Sequence, residues 1–299
     1  MSPRKVRPEL LIGAHVGGGL TGAVARALQI GAGPVQIFIG SPQTWREPSP
    51  KDDDFASFSA GLKQHALGPA FVHASYLVNL ATCDPTNRDR SVNSLRSQLR
   101  LADRAGAAGL IFHPGSAGQA SEEQALTNVI RAVEAVLDGY TGCCRLVLEV
   151  CAGQGQTIGD RFPELAAVLD ALGRDRRLGV CWDTCHLFAA GYDVATADGL
   201  ARTVDEFETT IGFEWLCAIH ANDSKTPLAS RKDRHENIGK GHIGAEAFSR
   251  MLHHPRLRPL PWILEVPGFD GNGPDRLNVE ILKGLARVQS SSRRRGRGR

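Results

Sequence analysis

Six apolar runs in this 299-residue chain stop on a residue of metal-binding type. Val72 leads into His73, Phe112 into His113, Leu148 into Glu149, Trp182 into Asp183, Ile219 into His220 and Leu264 into Glu265. Imidazoles and carboxylates are ligands for a divalent ion such as zinc. One polar residue at the end of a buried strand is commonly a hydrogen-bonded structural group, but six in succession ask for another cause. His186, Asp233 and His235 add to the set. In Asp233-Arg-His235 the spacing of two puts both chelating side chains on one side of an extended segment. Asp183 and His186 share one ion or serve two neighbouring ones. The nine residues offer four carboxylates and five imidazoles. An ion takes about four or five ligands, so the set could hold two or three ions if a carboxylate bridges. Three doubly charged ions against four carboxylates leave a pocket cationic by roughly two charges. Such a pocket suits an anion, above all a phosphodiester. Clustered metals lower the pKa of a water and brace attacking and leaving oxygens together. The chemistry that follows is metal-dependent phosphoester hydrolysis.

These residues need elements that bring them to one place. Strand-like runs cover residues 10–15, 34–39, 70–73, 109–113, 145–149, 178–182, 215–220 and 261–265. Helical spacing covers 20–32, 52–65, 88–107, 121–137, 161–172, 198–211, 245–252 and 275–288. Strict alternation implies parallel strands joined by crossovers. Eight repeats predict an α/β fold, a closed (β/α)8 TIM barrel in a single domain. An open doubly wound sheet is the runner-up, with no glycine-rich phosphate loop to support it. In the barrel all the strand ends face one mouth, so the six side chains would ring one pocket. His186 is expected on a loop, residues 74–80 as a long exposed loop, and residues 226–243 as the longest loop.

Composition bounds the rest. Hydrophobic residues make up 42% of the chain, ample for a core of this size. The formal charge is +3, and the last ten residues carry five arginines, which leaves the body near −2. We read residues 1–9 as an N-terminal extension, 10–289 as the barrel domain and 290–299 as an Arg-rich tail expected to be disordered. The tail either holds phosphates or only aids solubility. Seven cysteines without a C-x-x-C pair fit reduced thiols in a cytoplasmic protein. No signal peptide is read at residues 1–9 and no run reaches the roughly 18 apolar residues of a membrane span.

The motifs Val72-His73 with Tyr76-Leu77, Phe112-His-Pro-Gly115, Leu148-Glu149 with Ala152-Gly-Gln-Gly155, and Trp182-Asp-Thr-Cys-His186 resemble the endonuclease IV family of apurinic/apyrimidinic endonucleases. So do His220-Ala-Asn-Asp-Ser-Lys225, Asp233-Arg-His235 with Asn237-Ile-Gly239, and Leu264-Glu265. The resemblance runs from about Leu11 to Leu285. It implies a TIM barrel holding three Zn²⁺ per chain. His73, His113 and Glu149 would hold one zinc. Glu149 would bridge to a second, held also by Asp183, His220 and Glu265. His186, Asp233 and His235 would hold the third. Glu149 is then the catalytic residue, a bridging ligand that positions a metal-bound hydroxide. The implied activity is that of a deoxyribonuclease IV in base-excision repair, a phosphoric diester hydrolase. It cuts double-stranded DNA 5′ to an abasic site, leaves a 3′-hydroxyl and a 5′-deoxyribose phosphate, and trims blocked 3′ ends. A monomer, associated with the nucleoid when on DNA, is implied as well.

Tyr76 and Leu77 match the segment such enzymes insert into DNA, where a wedge stabilises unstacked bases; local packing is the other use for the pair. Gln43 stands where some members place an inserting arginine, and it brings no charge. Val150 and Cys151 stand where Asn and Thr are common, which could remove a hydrogen bond behind the metal site. Lys225 and Arg234 either meet DNA phosphates or are simply solvated. His15 is expected to support the site or the fold. A metal-dependent sugar isomerase or epimerase on a similar barrel is the alternative, and His186 with Asp233 and His235 discriminates against it. A non-enzymatic DNA-binding module fits poorly with an intact ligand set and a body charge near −2.

Overall fold

Eight parallel strands close on themselves in a computed structural model of the chain, which describes residues 10–287. The extension at 1–9, the tail at 290–299 and the expected ends of the domain at 289 and of the last helix at 288 lie outside the described residues. The barrel strands are β1 (Ile12–His15), β2 (Val35–Ile37), β3 (Ala70–His73), β4 (Gly109–Phe112), β5 (Arg145–Glu149), β6 (Leu178–Asp183), β7 (Leu216–Ala221) and β10 (Trp262–Leu264). Each pairs with its sequence neighbour, and β10 pairs with β1 to complete the ring. Around them run α1 (Gly19–Ile30), α2 (Asp52–Gln64), α3 (Pro85–Arg104), α4 (Glu122–Leu137), α5 (Phe162–Ala171), α7 (Ala197–Thr210), α8 (Ala245–His253) and α9 (Arg276–Arg287). The expected TIM barrel is the fold found.

Side chains alternate along a strand, so every second residue points into the barrel. One interior layer is Phe71, Ile111, Val147, Cys181, Ala218 and Ile263, a buried cluster of its own. Two residues further along each of those strands stand His73, His113, Glu149, Asp183, His220 and Glu265. The chelating types are therefore the next interior layer, at the carboxyl end, resting on an apolar floor. The larger core lies outside the strands, between sheet and helices. Behind β6, Trp182, Phe162, Phe207 and Phe213 pack with ring centroids 5.0–6.1 Å apart.

Three local expectations need correction. His186 lies not on a loop but on α6 (Thr184–Ala190), a helix begun at once after β6 because Asp183 Oδ1 caps it, accepting from His186 N at 2.9 Å. The segment 74–80 is largely buried: Ala74, Ser75, Val78 and Leu80 all lie inside, and only Tyr76 is well exposed, at 58%. The long stretch 226–243 is not all loop, since β9 (His235–Glu236) pairs antiparallel with β8 (Asp223–Ser224).

Phe207 is fully buried against Trp182 and Phe162. Phe207→Ala is expected to lower stability by about 3–5 kcal/mol through the cavity it leaves, read from the urea unfolding midpoint. A loss below about 1 kcal/mol would mean the cluster closes over the void.

Candidate metal centre

Glu149 is the middle of the site and has no solvent exposure. Its Oε2 lies 3.1 Å from His113 Nε2 and 3.3 Å from His73 Nε2. Its Oε1 lies 3.1 Å from His220 Nδ1 and 3.2 Å from His186 Nδ1. His220 Nδ1 also lies 3.2 Å from Glu265 Oε2 and 3.9 Å from Asp183 Oδ2. Outward of these, Asp233 reaches His186 Nε2 and His235 Nε2, each at 3.2 Å. All nine sequence candidates are thus brought together.

The outer faces of the imidazoles show what belongs between them. His73 Nδ1 donates to Ala74 O at 2.8 Å, so its Nε2 is bare and aimed at Glu149. His220 Nε2 donates to Gln36 Oε1 at 2.8 Å, leaving Nδ1 bare before three carboxylates. His186 Nδ1 donates to Val150 O and His235 Nδ1 to Glu265 O, at 3.0 and 3.3 Å. Their bare Nε2 atoms then face each other at 3.4 Å. Lone pairs against lone pairs and carboxylates repel unless protons or a cation stand between them. Carbonyl acceptors behind histidines are the usual way a metal ligand is oriented. Ligand atoms within 4.8 Å of one another form the groups His73–His113–Glu149, Glu149–Asp183–His220–Glu265 and Asp183–His186–His235. This donor set fits divalent metal.

Without a cation, the same crowding moves protons. Burial opposes charge on His235, but Asp183 and Asp233 outweigh it and raise its pKa to about 9. His186 and His220 are likewise raised against burial, by Asp183 and Asp233 for the first and by Cys181, Glu265 and Glu149 for the second. Burial pushes Glu149, Asp233 and Glu265 up, yet the histidines around them hold all three below the ordinary carboxylate range.

Several supports went unread in the sequence. Gln36, buried on β2, donates to Glu265 Oε1 at 2.5 Å as well as accepting from His220. It pairs with His15 of β1 and Phe71 of β3, on the inward face. His15 Nδ1 lies 3.2 Å from Glu265 Oε1, the supporting role expected of it. Asn222 donates to Asp183 Oδ2 at 2.6 Å and accepts from Glu265 N at 3.0 Å. Gln36 carried a usable signal, one polar residue inside the apolar run 34–39. The backbone carbonyl of Val150 is the group that orients His186.

The outer group hangs on the stretch that runs from β8 through β9, and that stretch is tied down. Asp223, buried, accepts from the backbone N–H groups of Ser224, Gly239, Ile243 and Gly244. Arg231 bonds Asp160 at 2.7 Å and Gly153 O at 2.9 Å, while Asp233 N donates to Gln154 at 3.2 Å. Gly153 has φ +75°, and a side chain there would lie 2.5 Å from Asp160 Oδ2. The Ala152-Gly-Gln-Gly155 turn is therefore the anchor of the Asp233 segment.

The rim holds the remaining candidates. Tyr76 stands over the mouth, its ring 5.6 Å from His73 and 5.3 Å from Phe38. Leu77 beside it is half-buried. Tyr76 N and Ser75 Oγ both donate to Pro42 O, which fastens this segment to the loop carrying the exposed Gln43. Lys225 and Arg234 are exposed and adjacent, with Lys225 N donating to Arg234 O at 2.9 Å.

Residues 24–287 match the family described as a xylose isomerase-like TIM barrel. A curated protein of Geotalea daltonii named "Probable endonuclease 4" is 37% identical over 281 residues, spanning 92% of this chain and 98% of the relative. One of the same name from Chlorobium limicola is 41% identical over 265 residues, spanning 87% and 91%. The crystal structure of endonuclease IV from Thermus thermophilus superposes with a TM-score of 0.80 at 34% identity, covering 92% of this chain and 98% of that one. A D-tagatose 3-epimerase-like protein, 17% identical with a TM-score of 0.66 over 92% of this chain, shares the fold alone.

Gln36→Leu removes the acceptor that leaves His220 Nδ1 bare. Divalent metal affinity, measured by chelator competition, is expected to fall about 10–100-fold; an unchanged affinity would make Gln36 a packing residue. In metal-free protein, His235 holds a proton in the folded state up to about pH 9 but only to 6.5 when unfolded. That stabilisation is complete below pH 6.5 and lost as pH rises through about 9. The melting temperature of the metal-free protein should fall across this window, and added divalent metal should restore it most at the upper end. A flat profile would count against a shared proton and metal site.

Proposed function

The chain belongs to the endonuclease IV family of apurinic/apyrimidinic endonucleases, and on that premise we propose that it is a zinc-dependent endonuclease acting on double-stranded DNA at abasic sites. The observation that carries this reading is the convergence of bare imidazole nitrogens on Glu149 and Asp233. Three zinc ions would be held, one by His73, His113 and Glu149, a second by Glu149, Asp183, His220 and Glu265, a third by His186, Asp233 and His235. Bound zinc would supply positive charge against the scissile phosphodiester and acidify the attacking water.

The chain's own residues do the arranging. Glu149 lies within 3.3 Å of four histidines, so it fixes the spacing of the first two ligand groups. Asp183 turns one oxygen to the α6 N-terminus and the other to the site, which locks its direction. Asp233 is the most exposed carboxylate of the set, its side chain 42% accessible, and it stands where the substrate phosphate would enter. Tyr76 and Leu77 would wedge into the duplex at the lesion, where unstacking is easiest. Gln43 would hydrogen-bond a neighbouring base or sugar, and Lys225 and Arg234 would meet phosphates. The products would be a 3′-hydroxyl and a 5′-deoxyribose phosphate, with blocked 3′ ends trimmed by the same chemistry. The enzyme would act as a monomer inside the cell, and no helix among the described residues is long and apolar enough to cross a membrane. The third group also supports this reading over sugar isomerisation, which has no evident use for His186, Asp233 and His235 beyond the ions already placed.

The test is metal analysis together with incision of a duplex holding one abasic site, beside an undamaged duplex. About three zincs per chain are expected, with a nick on the 5′ side of the lesion only. Glu149→Gln removes the bridging charge and should lower incision by more than about a hundredfold while depleting zinc. A fully zinc-loaded wild-type protein that leaves the abasic duplex uncut overturns the proposal.

A further inference from the structure

The stretch that brings Asp233 and His235 to His186 also brings them to a sulfur. Cys185 is fully buried on α6, two residues after Asp183. Its sulfur lies within 4.8 Å of a ligand atom of Asp233 and of one of His235. Metal bonds of about 2.3 Å to sulfur and about 2.0–2.2 Å to nitrogen and oxygen can close over such a span with small side-chain rotations. Among the described residues Cys185 is the one cysteine that falls in a cluster of this kind.

We propose that Cys185, Asp233 and His235 form a second binding site for a soft, thiophilic cation, cadmium in the first instance, that excludes occupation of the His186–Asp233–His235 group. Thiolate ligands select soft ions, whereas imidazole and carboxylate suit borderline and hard ones. The two sets share two members, so one ion displaces the other. Asp233 makes the exchange feasible because it stands on a connecting segment, not on a barrel strand, and can turn from His186 without moving the barrel. When the cadmium–sulfur bond forms, the thiol proton leaves to solvent and no electrons change hands. Every other ligand of the centre is an imidazole or a carboxylate, so the sulfur alone distinguishes the two ions.

The inference rests on the reading of Asp233 and His235 as ligands, and the test separates the two. The full chain carrying Cys83→Ser and Cys143→Ser, which removes the exposed thiols, is stripped of metal and titrated with cadmium. A thiolate-to-cadmium charge-transfer absorption in the ultraviolet is expected, with the intensity of a single thiolate–cadmium bond. Cys185→Ser and Cys185→Ala should both abolish it with the circular dichroism spectrum unchanged, and Asp233→Asn with His235→Gln should weaken cadmium binding at least about tenfold. His186→Gln should leave the absorption in place. An absorption that survives Cys185→Ser, or never appears in the parent, overturns the second site. Zinc content lost in Asp233→Asn alongside either of those results leaves the ligand reading standing and removes only the thiol.

Discussion

A carboxylate sealed from water and faced by bare imidazole nitrogens needs positive charge between them, and the rest of the mouth is arranged around that need. Glu149 has no exposure and meets the bare nitrogens of His73 and His220 within 3.3 Å, with His113 and His186 equally near. An isolated buried charge is among the most costly groups a fold can contain. Here the cost is met by geometry. Carbonyls behind His73, His186 and His235, and the amide of Gln36 behind His220, hold each ring so that its lone pair points inward. Protons fill the gap in part when no metal is bound, which is why His235 rises to about 9.

The barrel supplies the rigid part of this arrangement. Phe71, Ile111, Val147, Cys181, Ala218 and Ile263 floor the pocket, and the chelating residues stand one interior layer above them. A close-packed floor gives the ligands little freedom to relax, so bare nitrogens stay where the hydrogen bonds put them. The outer group is built differently. Asp233 and His235 depend on a segment tied by Asp223, Arg231 and Asp160, and so by hydrogen bonds and an ion pair more than by packing. The inner two groups are thus fixed by the fold, and the third by a tethered connection.

That division bears on function. Barrels of this kind serve unrelated chemistry, and the epimerase-like neighbour has the same fold at 17% identity. What differs between chemistries is the furniture of the mouth. In this chain a cationic centre would lie beneath an exposed tyrosine, with Lys225 and Arg234 on a ribbon beside it. The body itself is near neutral, so its bulk charge gives it little affinity for a polyanion.

The sequence by itself determined the eight alternating repeats and the nine residues of chelating type. It could do so because strand periodicity is local, and because a strand that ends on His, Asp or Glu is visible without knowing its neighbours. The resemblance to the family implied a grouping of those residues into three sets. Tertiary structure alone decided what stands behind the ligands. Gln36 and His220 are 184 positions apart and meet only because β10 closes the ring between β1 and β7. Asn222 joins Asp183 to Glu265 because β7 lies between β6 and β10. The segment 74–80 read as exposed because polar and apolar residues mix in it, yet packing against Pro42 and Gln98 buries all but Tyr76 and part of Leu77 and Asn79. The group that orients His186 is the backbone carbonyl of Val150, which residue type does not reveal. Side-chain types are written in the sequence; the directions in which they point are fixed only when the barrel closes.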